Sequence, residues 1–328
     1  MDEERDALDF VIGIDGGGTG SRAVALALDG RLLASADGGA LNPYTSGQQP
    51  FADHLNALTG RLLEKLVGGR CRRTTVGTAA LFGVSSPEEQ ARLVEGVDAS
   101  WLGEIEMVGD AVVAAYGATE GKAGTLVIAG TGSIAVGIDY RGELRFSGGL
   151  GPRISGDPGS AYWMACQAIA VAQEQVCRTG ALSPLGCLIT EGLGCSRFSE
   201  IIDRVYDPGE GQRRTAGLAV VLAKSRDPEI IKCWLPIEES AGAALATLVA
   251  PLRDDLKSGA DPLYISGSVL CENDRVRDSF LASLRHAHGK AVTLQRPRVG
   301  AARGAGLFSL SRLNLGGEWA RGQEDDHG

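Results

Sequence analysis

Asp15-Gly16-Gly17-Gly18-Thr19-Gly20-Ser21 joins two apolar runs, residues 10–14 and 23–28, which are typical of β-strands. Glycines allow positive φ and let backbone N–H groups close around an anion, most often a phosphate. Thr19 and Ser21 add hydroxyl donors, and Asp15 can face a hydrated divalent cation. An ordinary hairpin turn fits the same stretch, so the rest of the chain has to decide.

The same order of features returns in the middle of the chain. Strand-like residues 126–129 lead into Gly130-Thr131-Gly132-Ser133, and a second apolar run, a turn at Arg141-Gly142 and a third run follow. In the opening, Asp29-Gly30 makes the corresponding turn. The repeat predicts a duplicated unit, each copy beginning with a hairpin that has a glycine turn.

Length and composition restrict the protein class. With 328 residues, 44% hydrophobic, the chain favours two domains, and its net charge of -9 argues against a nucleic-acid partner. We expect no membrane span and a cytoplasmic location, because the sequence has no apolar run of about 18 residues and its acidic residues 2–4 are unlike a signal peptide. Seven cysteines without a Cys-x-x-Cys pair indicate reduced thiols.

Periodicity predicts the remaining elements. Apolar residues from Phe51 to Leu66 recur at helical spacing, and Ser86 to Glu89 has the pattern of a capping box. The segment after Gly159 is mostly helical up to Pro262. Further predicted elements are strands at 74–78, 105–108, 263–265 and 292–294, and helices at 160–176, 198–205, 216–223, 229–257, 273–285 and 299–313.

Together these motifs resemble the actin, hexokinase and heat-shock-protein-70 ATPase superfamily, and within it the N-acetylglucosamine kinases related to the BadF and BcrA ATPases. The resemblance rests on residues 14–19, Gly109-Asp110-Ala111, 130–133, 156–163 and Ser266-Gly267-Ser268. It implies an α/β, two-domain, ribonuclease-H-like (actin-like ATPase) duplication with ATP in the interdomain cleft. The implied domains are 1–118, completed by helix 300–313, and 119–299, with a polar tail at 314–328.

The resemblance also implies roles for individual residues. Asp110 matches the catalytic base, and Asp15 the residue that organises Mg²⁺. The implied ATP-binding residues are Gly17, Gly18, Thr19, Gly130, Thr131, Gly132, Gly267 and Ser268. The implied sugar-binding residues are Asn42, Asp110, Gly132, Gly151 and Asp157. Read from the residues alone, Asp110 also suits a helix N-cap, and Asn42 and Asp157 suit turns.

The implied reaction is phosphorylation of an amino sugar, N-acetylglucosamine to its 6-phosphate, by a homodimer. Pro158 and Leu150 stand where the family usually has Glu and Trp, and these departures leave glucosamine or N-acetylmuramate open as the acceptor. Two other classes stay open. An activator of a radical dehydratase would need an iron–sulfur site, for which Cys166, Cys177, Cys187 and Cys195 are candidates, and a sugar sensor would bind without catalysis.

Overall fold

The computed structural model describes residues 9–43, 47–79, 81–255, 262–288 and 292–313. The predicted tail at 314–328 lies outside these ranges. The described chain forms two compact units: one contains 9–126, 136–145 and 296–313, and the other contains 127–135 and 146–295. The C-terminal helix therefore belongs to the first unit.

A five-stranded sheet with the strand order β3-β2-β1-β4-β5 organises the first unit. The central strand β1 pairs antiparallel with β2 and parallel with β4, and β4 pairs parallel with β5. The strands are β1 (Asp9–Gly16), β2 (Ser21–Ala27), β3 (Leu32–Gly38), β4 (Arg70–Thr78) and β5 (Glu104–Gly109). Residue alternation along β1 sends Phe10, Ile12 and Ile14 into one core layer.

Helices cover the first sheet. Helix α1 (Gln48–Leu63) buries its apolar residues against Phe10, Ile12 and Ile14, as its spacing predicts. Helix α2 (Pro87–Leu93) has the predicted capping box at Ser86, and α3 (Asp110–Thr119) follows β5 directly. The C-terminal helix of the unit approaches β1 so closely that a Cβ on Gly13 would lie 2.1 Å from Gly306 N. Only glycine fits at that crossing.

The second five-stranded sheet repeats the first, with the order β8-β7-β6-β9-β10. This match confirms the predicted duplication. Its strands are β6 (Gly124–Ala129), β7 (Ser133–Ile138), β8 (Leu144–Gly148), β9 (Leu263–Ser266) and β10 (Leu294–Gln295), and β9 and β10 are parallel. The predicted strand at 292–294 is shifted toward the C-terminus, because Leu294 and Gln295 are the residues that pair with β9.

The chain from Gly159 to Pro262, where the structure describes it, is mostly helical, as expected. The helices of the second unit are α4 (Ala161–Thr179), α5 (Pro184–Gly192), α6 (Ile201–Val205), α7 (Gly211–Ala223), α8 (Pro228–Asp255), α9 (Ser268–Glu272) and α10 (Asp274–His288). The C-terminal helix α11 (Ala301–Arg312) belongs to the first unit. Helix α5 has no counterpart among the sequence predictions. Pro184 occupies its first turn and Ser183 caps it, so a residue that usually interrupts a helix begins one here.

In the part of the chain that the structure describes, none of the helices combines the length and apolar character of a membrane span.

Candidate active site

The first glycine turn is held by a hydrogen bond within the turn and by another to the segment that contains Asn42. Gly17 N donates to Gly20 O at 2.9 Å, and Leu41 N donates to Gly17 O at 2.9 Å. A Cβ on Gly16 would lie 2.6 Å from Leu41 O, so this contact requires glycine. Within the described ranges, the N–H groups of Gly18 and Thr19 have no partner. Their N–H groups are available to a phosphate oxygen, whereas the Gly17 N–H already donates to Gly20 O.

Asp15 and Asp110 lie at the ends of two strands of the first sheet, Asp15 in β1 and Asp110 directly after β5. Burial raises the pKa of the Asp15 carboxyl, and the charge of Asp110 raises it further. Asp110 keeps contact with solvent, yet desolvation by the surrounding protein raises its pKa more than the backbone N–H groups of Ala111 and Asp110 lower it. The structure thus brings together two carboxyl groups that interact electrostatically.

The backbone position of Asp110 bears on the helix-cap role that the sequence left open. Asp110 is the first residue of α3, and the residue at the N-cap is Gly109, without a side-chain cap. A Cβ on Gly109 would lie 2.7 Å from Leu81 O, so the chain passes close to a neighbouring loop just before Asp110. The Asp110 carboxylate is therefore not the N-cap group of this helix. Asn42 is buried in the same unit, next to Leu41.

The second glycine turn is fixed to the beginning of α4. Gly130 N donates to Gly132 O at 3.0 Å, Ala161 N donates to Gly130 O at 2.9 Å, and Tyr162 N donates to Thr131 O at 3.3 Å. Ser160 caps α4 by accepting from Trp163 N. Within the described chain, the N–H groups of Thr131 and Gly132 have no partner, which parallels Gly18 and Thr19 in the first turn.

Asp157 lies against this second turn. A Cβ on Gly132 would lie 2.7 Å from Asp157 Oδ2, and Ser133 Oγ donates to Pro158 O at 2.9 Å. Asp157 is buried and has a φ of 46°, a left-handed conformation that non-glycine residues rarely adopt. Burial raises the pKa of its carboxyl, which the Ser155 hydroxyl and the Gly151 N–H partly offset. Gly132, Gly151 and Asp157 therefore form one cluster in the second unit.

A pocket of about 450 Å³ opens beside the predicted adenosine loop, within the size range of small-molecule sites. Gly267 has a φ of 84°, and a Cβ there would lie 2.3 Å from Ala129 O, so only glycine allows this loop to meet the second turn. Ser268 lines the pocket. The other lining residues include Met164, Ala219, Val220, Ala223, Glu238 and Asn273.

Most of these wall residues are absent from the sequence predictions. Ala219 and Ala223 are one helical turn apart on α7 and have the pattern of an ordinary core face. The signal that could have been noticed is Glu238, an acid in the apolar stripe of α8, where charged residues are rare. The close packing at Gly267 and the apolar wall fit a nucleoside at this site.

Metal-binding groups are sparse in the described chain. Within its ranges, no three His, Cys, Asp or Glu side chains come together as a metal site, and all seven cysteines are free thiols. Mg²⁺ bound to a nucleotide needs only one or two carboxylates, since phosphates and water supply the other ligands. Asp15 fits that limited role.

The chain is similar in sequence and in structure to several known proteins. The chain is 31% identical over 216 residues to an N-acetylmuramic acid/N-acetylglucosamine kinase from Clostridium acetobutylicum, covering 65% of this chain and 69% of the relative. It is 30% identical over 210 residues to an N-acetyl-D-glucosamine kinase from Dictyostelium discoideum, covering 61% and 65%. A protein from Chromobacterium violaceum assigned as an N-acetylglucosamine kinase superposes with a TM-score of 0.66 at 23% identity, covering 92% and 98%.

The two repeated sheets, each with a glycine turn, have the actin-like ATPase fold. More specifically, the chain belongs to the BadF/BadG/BcrA/BcrD ATPase family, whose family model matches residues 12–309. The predicted family and fold class are thereby confirmed, and membership implies the use of ATP.

Proposed function

We propose that the protein is a kinase that transfers the γ-phosphoryl group of ATP to an amino sugar, N-acetylglucosamine, at its 6-hydroxyl. The observation that carries the proposal is Asp110. Its carboxyl follows strand β5 beside Asp15, stays accessible to solvent, has a raised pKa and is not the helix cap. The names of the two curated relatives support an amino sugar as the acceptor.

In the proposed reaction, Asp110 accepts the proton of the sugar hydroxyl while the oxygen attacks the γ-phosphorus and the bond to the β-phosphate oxygen breaks. A raised pKa makes the carboxylate a stronger base, which suits this step provided that it is ionised near neutral pH. The N–H groups of Gly18, Thr19, Thr131 and Gly132 would stabilise phosphate charge. Mg²⁺, when bound near Asp15, would neutralise charge on the phosphates.

For the sugar, we propose contacts with Asn42 in the first unit and with Gly132, Gly151 and Asp157 in the second. Asp157 supports this role because its carboxylate is buried and fixed by Ser155 and Gly151. A buried carboxylate accepts hydrogen bonds from sugar hydroxyls without losing further mobility. Pro158 and Leu150 are next in sequence to Asp157 and Gly151. We therefore expect the residues at positions 150 and 158 to influence which sugar is accepted.

A substrate panel tests the proposal. ADP release would be measured with N-acetylglucosamine, glucosamine, N-acetylmannosamine, N-acetylmuramate and glucose. We expect the highest kcat/KM with N-acetylglucosamine. A preference for N-acetylmuramate or glucosamine would retain the kinase chemistry and change the acceptor, and no turnover with any sugar would contradict the proposal.

The alternative classes give different results in the same preparation. A sugar sensor would bind an amino sugar in calorimetry without releasing ADP. An activator of a radical dehydratase would bind iron between subunits, which elemental analysis detects. Homodimer formation and a cytoplasmic location remain predictions, and light scattering tests the first.

A further inference from the structure

Glu238 is a buried acid on α8 that lines the pocket beside Ser268, the pocket that would hold the nucleoside of ATP. Its side chain is 5% exposed. One carboxylate oxygen is fully engaged, because Oε1 accepts from Trp234 Nε1 at 2.8 Å and from Asn273 Nδ2 at 2.7 Å. The other oxygen, Oε2, accepts no hydrogen bond among the described residues. Arg275 Nη1 lies 3.5 Å from it.

The neighbours of Glu238 hold the carboxylate in this orientation. The Asn273 side chain is fixed on both sides, since its Oδ1 also accepts from Val276 N at 3.1 Å. A buried acceptor without a donor is unfavourable for the folded protein, so a site of this kind suggests a ligand that supplies the donor. Oε2 has almost no exposed surface, but the Arg275 side chain beside it is 61% exposed. Rotation of Arg275 would open Oε2 to the pocket.

The chain places Glu238 away from the phosphate-binding end of the pocket. Gly267, at the beginning of α9, contacts Gly130 in the second glycine turn. Asn273, the partner of Glu238, follows the end of α9 and is six residues after Gly267, about 9 Å farther along at the helical rise. In a nucleoside triphosphate the base is the group farthest from the phosphates. Glu238 is therefore at the end where the base would lie.

We propose that Glu238 selects the nucleotide by accepting a hydrogen bond from the 6-amino group of adenine at Oε2, with Arg275 turned outward. A 6-oxo purine presents an acceptor at this position, which the carboxylate repels. The inference rests on the proposed use of ATP and adds a preference for 6-amino over 6-oxo purine nucleotides.

Direct binding of ATP and ITP, measured by calorimetry without sugar, tests the inference. We expect the wild-type protein to bind ITP about 10- to 100-fold more weakly than ATP, the size of a hydrogen bond to a charged group. In Glu238→Gln, the amide can donate to a 6-oxo group, so the ratio should fall to about threefold or less. Glu239→Gln, an exposed acid on the same helix, should keep the wild-type ratio.

One more variant and one more ligand separate the competing explanations. If Arg275 holds the base instead, Arg275→Ala would weaken ATP and ITP equally and Glu238→Gln would keep the ratio, which overturns the inference. If the carboxylate binds the ribose, 2′-deoxy-ATP would bind weakly and ITP normally, which also overturns it. Equal binding of ATP and ITP by the wild type overturns the inference alone, even if Glu238→Gln does not fold. Failure to bind any nucleotide overturns the proposed function as well.

Discussion

Asp157 and Gly132 are packed together so tightly that a Cβ on Gly132 would lie 2.7 Å from Asp157 Oδ2. Gly132 belongs to the second glycine turn, and Asp157 belongs to the loop before α4. The hydrogen bond from Ser133 Oγ to Pro158 O ties the same two segments together at the next residues. In the second unit, the candidate phosphate-binding and sugar-binding groups therefore pack directly against each other, so that a shift of one is expected to displace the other.

This packing predicts that Gly132→Ala displaces Asp157 and lowers turnover by about tenfold or more, because a shift of about 1 Å in a positioning group can cost about 10²-fold. Gly130→Ala is the matched comparison, since a Cβ there would meet Gly267 Cα only at 4.0 Å. It should lower turnover less. Steady-state kinetics on both variants check the prediction, and equal losses would show that the Asp157 contact is unimportant.

Alanine substitutions at two helical glycines are expected to change the free energy of unfolding in opposite directions. At Gly217 in α7 nothing lies within 4 Å of a new Cβ, whereas at Gly304 in α11 it would lie 2.0 Å from Val113 O. We expect Gly217→Ala to stabilise the fold by about 0.5–1 kcal/mol and Gly304→Ala to destabilise it by about 1–3 kcal/mol. Urea unfolding measures both. Stabilisation by both substitutions would mean that α11 does not pack closely on α3.

The raised pKa of Asp110 predicts a pH-dependent effect of Asp110→Asn on stability. A carboxyl whose pKa is higher in the folded state favours folding below its unfolded pKa of about 3.9, and this contribution is lost as pH rises through the folded pKa. Asn does not ionise. The variant should therefore melt at a higher temperature than wild type at pH 7, with the difference vanishing near pH 3.5.

Asp98 is the control for that measurement, because hydrogen bonds from Ser100 hold the pKa of its carboxyl below the usual value. Its stabilising contribution is present above the unfolded pKa and is lost as pH falls through the folded pKa. Asp98→Asn should therefore lower the melting temperature at pH 7. If both variants shift in the same direction, local desolvation does not control the Asp110 effect.

Much of the fold follows from the sequence because its signals are local. The repeated Gly-Thr-Gly-Ser turns sit between strand-length apolar runs, and the capping box at Ser86 identifies α2 before any packing is known. These signals predicted the duplicated sheets. Helix α5 was harder to predict, since Pro184 and Gly186 weaken the local helical signal and Ser183 restores it through capping.

The site was only partly predictable. Motifs single out Asp15, Asp110 and Asp157 as candidates. The hydrogen bond between Asn273 and Glu238 joins residues 35 positions apart in the chain, and no local pattern encodes it, although the bond from Trp234 to Glu238 is a local contact within α8. The left-handed backbone of Asp157 likewise depends on tertiary packing, because aspartate does not require that conformation by itself.

The most direct test of the central claim is phosphoryl transfer to N-acetylglucosamine by wild type and Asp110→Asn, followed by ADP release and by the mass of the sugar product. Calorimetry on the variant verifies that ATP still binds. We predict that kcat falls by about 10²–10⁴-fold while ATP binds normally, as expected for removal of a positioned base. Near-normal turnover in a folded Asp110→Asn protein would contradict the role of Asp110 and the proposed mechanism with it.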